Sequence, residues 1–114
     1  MIDQLFHSSS SFIVYPFRYV YQSTENTGTN YPVQVILSVS KRRFKRAHDR
    51  NRIKRLMREV YRLQKSELLY MHLQQSSLHL LLAVQYVGKE ELPYDVLFTK
   101  MNKGLKQLVN EVTV

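Results

Sequence analysis

The stretch VQVILSVSKRRFKRAHDRNRIKRLMREVYR, residues 33–62, decides how this chain folds. Its first eight residues alternate between an apolar set and a mixed set, which predicts a strand with one buried face. A helix is expected to follow, with Asp49 as a plausible N-cap. Apolar residues then recur at helical spacing and predict a buried stripe. That stripe consists of Ile53, Leu56, Met57, Val60, Leu63 and Leu68.

The same stretch carries most of the positive charge of the chain. Residues 41–62, called the basic segment below, contain eleven Lys and Arg but only two acids, Asp49 and Glu59. Glu59 can pair with Arg55 and Arg62 on neighbouring turns, but one carboxylate cannot neutralise so many cations. At about 100° per residue, one arc of the helix collects five cations and one amide. Its members are Asn51, Lys54, Arg55, Arg58, Arg62 and Lys65.

Length and charge limit the classes of protein to which the chain can belong. It has 114 residues and a formal net charge of +8. This length predicts a single domain over residues 1–114. Outside the basic segment the chain is nearly neutral, with six basic and seven acidic residues. A positive field confined to one segment indicates nucleic acid, or an anionic membrane surface, as the partner.

Other features of the composition exclude further classes. The chain has no Cys, which rules out disulfides and thiolate metal sites and fits a cytoplasmic protein. No run of 18 apolar residues is present, so no membrane-spanning helix is predicted. The N-terminus has Asp3 and no early Lys or Arg, unlike a signal peptide.

The rest of the chain adds strands and a second long helix. Residues 12–22 favour strand, and Pro16 should split them into two short strands or lie at an edge. Residues 23–32 predict a loop, residues 78–88 a central strand, and residues 2–6 the end of a helix. The C-terminal helix is predicted from Tyr94, Leu97, Phe98, Met101, Leu105, Leu108, Val109 and Val112. The expected fold is α+β, a single α/β sandwich with a small mixed sheet of about four strands packed by two helices.

The basic segment also has two less specific interpretations. Helices rich in Lys and Arg are often solvated faces without a specific partner. A membrane-surface or calmodulin-binding helix is the second alternative, but the apolar stripe is needed for the core of so small a domain. Arg outnumbers Lys by eight to three in the segment, which favours binding of phosphates by planar guanidinium groups.

Residues 38–62 resemble the signature of the bacterial ribonuclease P protein subunit. In that family a strand ends in Ser-Val-Ser-Lys, and a basic turn leads to Arg-Asn-Arg-x-Lys-Arg-x-x-Arg-Glu on a helix. The match has no gap, and the flanking elements agree over nearly the whole chain. The resemblance implies a left-handed βαβ crossover. Family members usually begin with more of the first helix, so that helix is expected to be truncated here, and residues 70–77 look longer than usual.

The resemblance also implies a function. The family's enzyme removes the 5′ leader from precursor tRNA, and its catalytic RNA subunit holds Mg²⁺ and hydrolyses the phosphodiester. The protein binds that RNA and the single-stranded leader, and raises the affinity for substrate and Mg²⁺. No catalytic residue, metal site, membrane or obligate protein partner is expected for the protein. The residues expected to bind the catalytic RNA are Lys41, Arg42, Arg43, Lys45, Arg46, Arg50, Asn51, Arg52, Lys54, Arg55, Arg58 and Arg62.

The leader-binding residues are predicted less directly. Phe17, Tyr19 and Tyr21 alternate along one strand face, which would form a stacking platform if that face is open. If it is covered they are core residues, the commoner outcome for such stripes. Tyr19 and Tyr21 are favoured because Tyr tolerates a wet interface. The complete predicted set is Phe6, Phe17, Tyr19, Tyr21, Ser38 and Ser40.

Signals for chemistry by the protein itself are missing from the sequence. The four His residues have no metal-ligand spacing, and there is no nucleophile elbow or phosphate-binding glycine loop. A structural RNA-binding protein, such as a ribosomal component, stays open as an alternative. A DNA-binding protein is less well supported because no helix-turn-helix pair is recognisable.

Overall fold

The computed structural model describes residues 10–24, 33–71, 73 and 79–113. These residues form four strands and two long helices, and a π-helical segment, Ser66–Tyr70, continues the first helix. The elements are β1 Ser10–Val14, β2 Phe17–Thr24, β3 Val33–Val39, α1 Ala47–Lys65, β4 His79–Tyr86 and α2 Tyr94–Thr113. The predicted helix at residues 2–6 and most of the predicted loop lie outside the described residues.

The four strands form one mixed sheet in the order β1-β2-β4-β3. The β1–β2 and β2–β4 pairs are antiparallel, whereas β3 and β4 are parallel. Parallel neighbours need a crossover connection, and α1 provides it. The sequence prediction of a four-stranded α+β fold is therefore confirmed, and the left-handed sense of the crossover stays a prediction.

The two faces of the sheet differ in what covers them. Strand alternation directs Val33, Leu82 and Val84 to one face, where they pack in the main core with residues of α1 and α2. The opposite face, called the outer face below, carries a small buried cluster of Val20, Leu81 and Ala83. Its other side chains include Ile13, Arg18, Ile36, Ser38 and Gln85.

The aromatic face of β2 is covered by α2, so the open face that a stacking platform requires is not present at Phe17 and Tyr19. Phe17 and Tyr19 are both 0% exposed. The hydroxyl of Tyr19 donates a hydrogen bond to Sδ of Met101 at 3.5 Å, and the ring stacks on Phe12 with centroids 4.9 Å apart. Tyr21 is half-buried, and its hydroxyl donates to Oε1 of Glu111 at 2.9 Å. The alternative interpretation, that this stripe belongs to the core, is right for Phe17 and Tyr19.

Helix α1 begins at Ala47, two residues before the predicted N-cap. Arg46 occupies the N-cap position without a side-chain cap, and Asp49 lies in the first turn. A carboxylate there still interacts favourably with the positive end of the helix dipole.

The buried stripe of α1 differs from the predicted one at its C-terminal end. Ile53, Met57 and Val60 are buried as predicted, but Leu63 is 52% exposed. Tyr61 and Gln64 are buried instead. The amide nitrogen of Gln64 donates to the carbonyl oxygens of Val60 and Phe98, both at 3.1 Å, and so links α1 to α2.

Gly104 in the middle of α2 gives a test of how closely the core is packed. A Cβ at this position would overlap the phenol ring of Tyr19. We expect Gly104→Ala to lower the free energy of unfolding by about 2 kcal/mol, because overpacking outweighs the gain in helix propensity of about 1 kcal/mol. Urea unfolding measures the change. In a Tyr19→Ala background the same substitution should be neutral or stabilising, and an equal loss in both backgrounds would contradict this explanation.

Candidate nucleic-acid interface

The turn that leads into α1 is held by one buried aromatic ring among cations. Phe44 is 9% exposed and packs edge-on against Tyr86, with ring centroids 5.8 Å apart. Its backbone N–H donates to the carbonyl of Ser40 at 3.1 Å. The neighbouring cations, which are Lys41, Arg42, Arg43, Lys45 and Arg46, are all exposed. The buried ring therefore fixes a short turn whose charged side chains face solvent.

Arg50 fastens this turn to the helix. Its Nη1 donates to the carbonyl oxygens of Phe44 and Lys45, at 2.8 and 2.9 Å. The guanidinium is thus already engaged within the protein, and it positions the turn. Its predicted contact with RNA stays a prediction.

Most of the remaining cations have no partner within the described part of the chain. On α1, Asn51, Arg55 and Arg58 are exposed and Lys54 is half-buried, which agrees with the predicted arc. Eight cations make no ion pair or side-chain hydrogen bond there. They are called the cationic surface below and comprise Lys41, Arg42, Arg43, Lys45, Arg46, Lys54, Arg55 and Arg58.

Arg52 forms two ion pairs. It holds Glu91 through two bonds, Nε to Oε1 at 2.8 Å and Nη2 to Oε2 at 2.6 Å. Its Nη2 also lies 3.2 Å from Oδ1 of Asp49. Arg52 therefore connects α1 to the segment between β4 and α2.

Arg62 pairs with Glu59, with Nη2 2.7 Å from Oε1. Of the two partners predicted for Glu59, Arg62 is thus confirmed, whereas Arg55 stays unpaired within the described residues. Both arginine side chains are about half exposed, so these pairs contribute little to stability.

A cleft of about 410 Å³ lies where β3 and β4 end beside the basic turn. Its lining residues are Ser38, Val39, Ser40, Arg42, Arg43, Gln85, Tyr86 and Val87. Ser38 and Gln85 are register partners near the ends of these two parallel strands, so they lie side by side in the cleft. The structure thereby brings two predicted leader residues, Ser38 and Ser40, together with two predicted RNA-binding arginines.

A row of side chains leads across the outer face into this cleft. Ile13 is the register partner of Arg18, and Arg18 is the partner of Gln85. With Ser38 the row crosses all four strands on one face. Sequence reasoning missed Arg18 and Gln85, although a polar residue inside an otherwise apolar or aromatic strand is a usable signal.

The comparisons with known proteins decide the family. The family model described as Ribonuclease P matches residues 1–109. The chain belongs to the ribonuclease P protein family. It is 36% identical over 111 residues to the ribonuclease P protein component of Porphyromonas gingivalis, covering 97% of this chain and 80% of that protein. A relative from Chlorobium phaeobacteroides is 45% identical over 60 residues, covering 49% of this chain and 41% of its own length.

Solved ribonuclease P proteins have the same fold. The RNase P protein from Thermotoga maritima superposes with a TM-score of 0.72 at 19% identity, covering 93% of this chain and 89% of that one. The Staphylococcus aureus RNase P protein gives a TM-score of 0.66, also at 19% identity, covering 94% and 87%. These superpositions show that this chain and the two solved proteins share the arrangement of sheet and helices, although their sequences are only 19% identical.

The predicted leader residues of this ribonuclease P protein are not gathered in one place. Ser38 and Ser40 line the cleft. Phe17 and Tyr19 lie in the core on the other side of the sheet and present no ring to solvent. Phe6 lies outside the described residues. The wrong assignment arose because alternation reveals that a strand has two faces, but not which of them the helices cover.

Metal ligands and membrane spans can be assessed in the described residues only. Over that part of the chain no three His, Asp or Glu side chains come together as a metal site. That Mg²⁺ is held by an RNA partner stays a prediction. Neither long helix, nor any other described helical stretch, combines the length and apolarity needed to cross a bilayer.

The Arg52–Glu91 ion pair should have a measurable effect on the pKa of Glu91. The hydrogen bond and charge of Arg52 lower the pKa of Glu91 below its ordinary value of 4.5. The pair therefore contributes to stability above that ordinary value, and the contribution is lost as the pH falls through the lowered folded-state pKa. We expect Arg52→Ala to raise the pKa of Glu91, as followed by NMR of its side-chain carboxyl. Arg55→Ala is the matched control and should leave this pKa unchanged.

Proposed function

We propose that this chain is the RNA-binding protein subunit of a ribonuclease P that removes the 5′ leader from precursor tRNA. The single observation that carries the proposal is the cationic surface, eight Lys and Arg side chains without partners in the described residues. The RNA partner performs the hydrolysis, and Mg²⁺ held by that RNA supplies the metal chemistry. Because precursor tRNA is made in the bacterial cytoplasm, the same proposal assigns the protein to that compartment.

The chemistry of the cationic surface suits a phosphate backbone. Each phosphate that it neutralises releases condensed counterions, which is the main source of affinity at moderate salt. Guanidinium groups add bidentate hydrogen bonds to phosphate oxygens. Lys54, Arg55 and Arg58 extend along the helix, whereas Arg42 and Arg43 approach from the turn. The helix is our assignment for the catalytic RNA, and the turn with its cleft is our assignment for the leader.

The outer face supports a path for a single-stranded leader. The strand would enter beside Ile13 and Arg18, cross Gln85 and Ser38, and reach the two arginines of the cleft. Unpaired bases can use apolar contacts to Ile13 and Ile36, which are 61% and 44% exposed, and their polar edges can bond the amide and hydroxyl groups. Such a path is an alternative to the aromatic platform, which required an open face at Phe17 and Tyr19.

The protein's part in the reaction is to bind and to neutralise charge. Joining a polyanionic substrate to a polyanionic RNA brings phosphates together, and the resulting repulsion is offset by cations held between them. Lower repulsion raises the affinity for the precursor. It also lowers the Mg²⁺ concentration that the RNA needs for folding and catalysis.

Reconstitution tests the proposal directly. The full chain, added to its cognate catalytic RNA, should allow cleavage of precursor tRNA at lower Mg²⁺, and the protein alone should cleave nothing. Arg18→Ala should reduce the preference for precursor over mature tRNA, because only the precursor has a leader. Lys103→Ala, an exposed lysine on α2, is the control. Equal binding of precursor and mature tRNA by the unaltered complex would favour a purely structural RNA-binding role.

Salt dependence tests the helix separately. Arg55→Ala and Arg58→Ala should each reduce the slope of log affinity against log salt by about 0.7–0.9 for every phosphate that the protein no longer neutralises. Arg62→Ala should have a smaller effect, because Glu59 already pairs with this side chain. Titration of the catalytic RNA at several KCl concentrations gives the slopes. Unchanged slopes for Arg55 and Arg58 would mean that neither side chain touches the backbone.

A further inference from the structure

A second groove lies on the side of the sheet opposite to the outer face. It has a volume of about 420 Å³ and runs between β3 and the C-terminal half of α1. Its lining residues are Val35, Leu37, Arg58, Tyr61, Arg62 and Lys65. Val35 and Leu37 alternate along β3 with Ile36 and Ser38, which point to the outer face. The groove therefore cannot be part of the leader path.

The floor of the groove is apolar. Val35 and Leu37 are half-buried there, and Tyr61 is only 4% exposed. The hydroxyl of Tyr61 has no hydrogen-bond partner in the described residues. Burial, with a smaller effect from Tyr70, raises the pKa of Tyr61, so the phenol stays neutral. Since β3 is an edge strand, no further strand closes the groove on that side among the described residues.

The rim of the groove is cationic. Arg58 is exposed and has no partner within the described residues, and Arg62 is shared with Glu59. The ammonium of Lys65 lies 5.9 Å from the ring centroid of Tyr61 and 5.4 Å from that of Tyr70. Three cations around an apolar floor are complementary to a ligand that has a flat apolar body and attached anions.

We propose that this groove binds one unpaired nucleotide of an RNA strand. The base lies on the floor, and the flanking phosphates contact Arg58 and Lys65, while Arg62, already paired with Glu59, contributes less. This inference rests on the proposed function, because the strand reaches the groove along the cationic surface, to which Arg58 also belongs. The volume falls in the range of small-ligand pockets, and a duplex, whose bases are paired inside, could not use the floor.

Methyl NMR can locate the base, because β3 has reporters on both faces. Methyl groups of Val35 and Leu37 report the groove, and those of Ile36 report the outer face. The probe is single-stranded hexauridylate, added to the full chain. We expect the Val35 and Leu37 signals to shift, and an abasic hexamer with the same phosphates to bind at least about fivefold more weakly and leave these signals in place.

The possible outcomes separate the two proposals. If Ile36 signals and the amides of the cationic surface shift but Val35 and Leu37 do not, RNA binding stands and the nucleotide groove is overturned. If no signal shifts, both proposals fail. If a hexaglutamate peptide moves the groove signals and hexauridylate does not, the groove is a site for acidic peptides, and the inference is wrong.

A pair of matched variants tests the rim. Lys65→Ala should weaken hexauridylate binding, flatten the salt dependence by about 0.7 for one phosphate of a single strand, and reduce the Val35 and Leu37 shifts. The Ile36 shifts should persist. Lys103→Ala removes the same charge from exposed α2 and should change none of these. Equal effects of both variants would show that only overall charge matters, which would overturn the inference.

Discussion

The packing of α1 against the sheet and α2 determines where the positive charge of this protein points. Ile53, Met57 and Val60 must be buried to close the core. Because an α-helix has 3.6 residues per turn, burial of these three residues places Arg55 and Arg58 on the solvent-exposed side of the helix. The contacts that stabilise the fold therefore also hold these cations close enough to repel one another. An anionic partner relieves that repulsion, which explains why the surface is suited to binding.

The cations of the basic segment have two different roles, because some make contacts within the protein and others are exposed without a partner in the described residues. Arg50 bonds the carbonyl groups of the entry turn, and Arg52 holds the segment after β4 through Glu91. These two stabilise the local shape that keeps the others separated and exposed. Tyr86 contributes from the other side, because its hydroxyl donates to the carbonyl of Glu90 at 2.6 Å and accepts from the N–H of Leu92 at 3.1 Å. Tyr86, which lines the cleft, is therefore held at its hydroxyl by the segment that follows β4.

Local patterns in the sequence predicted the elements well and their environment less well. Pro16 does separate two strands, and residues 33–39, 79–86 and 94–113 form the expected strands and helix. The periodicity of a strand does not show which of its faces a helix covers, so the burial of the aromatic side of β2 under α2 could not be predicted. Nor does a sequence pattern predict the ion pair between Arg52 and Glu91, which are 39 residues apart. Gly104, a weak residue for a helix interior, is explained only by the space that Tyr19 needs. The proposed function depends on the resemblance of residues 38–62 to a known family, because charge alone does not distinguish one RNA from another.

Strand β3 contributes Ser38 to the cleft on one side and Leu37 to the groove on the other, and these two residues are immediate neighbours. Side chains alternate strictly along a strand, so inserting or deleting a single residue within β3 would exchange the two surfaces. Apolar groups would then enter the cleft, and hydroxyls would enter the core. The connections around this strand can change in length without this effect, whereas a single-residue change inside β3 must be absorbed by a bulge if both surfaces are to be kept.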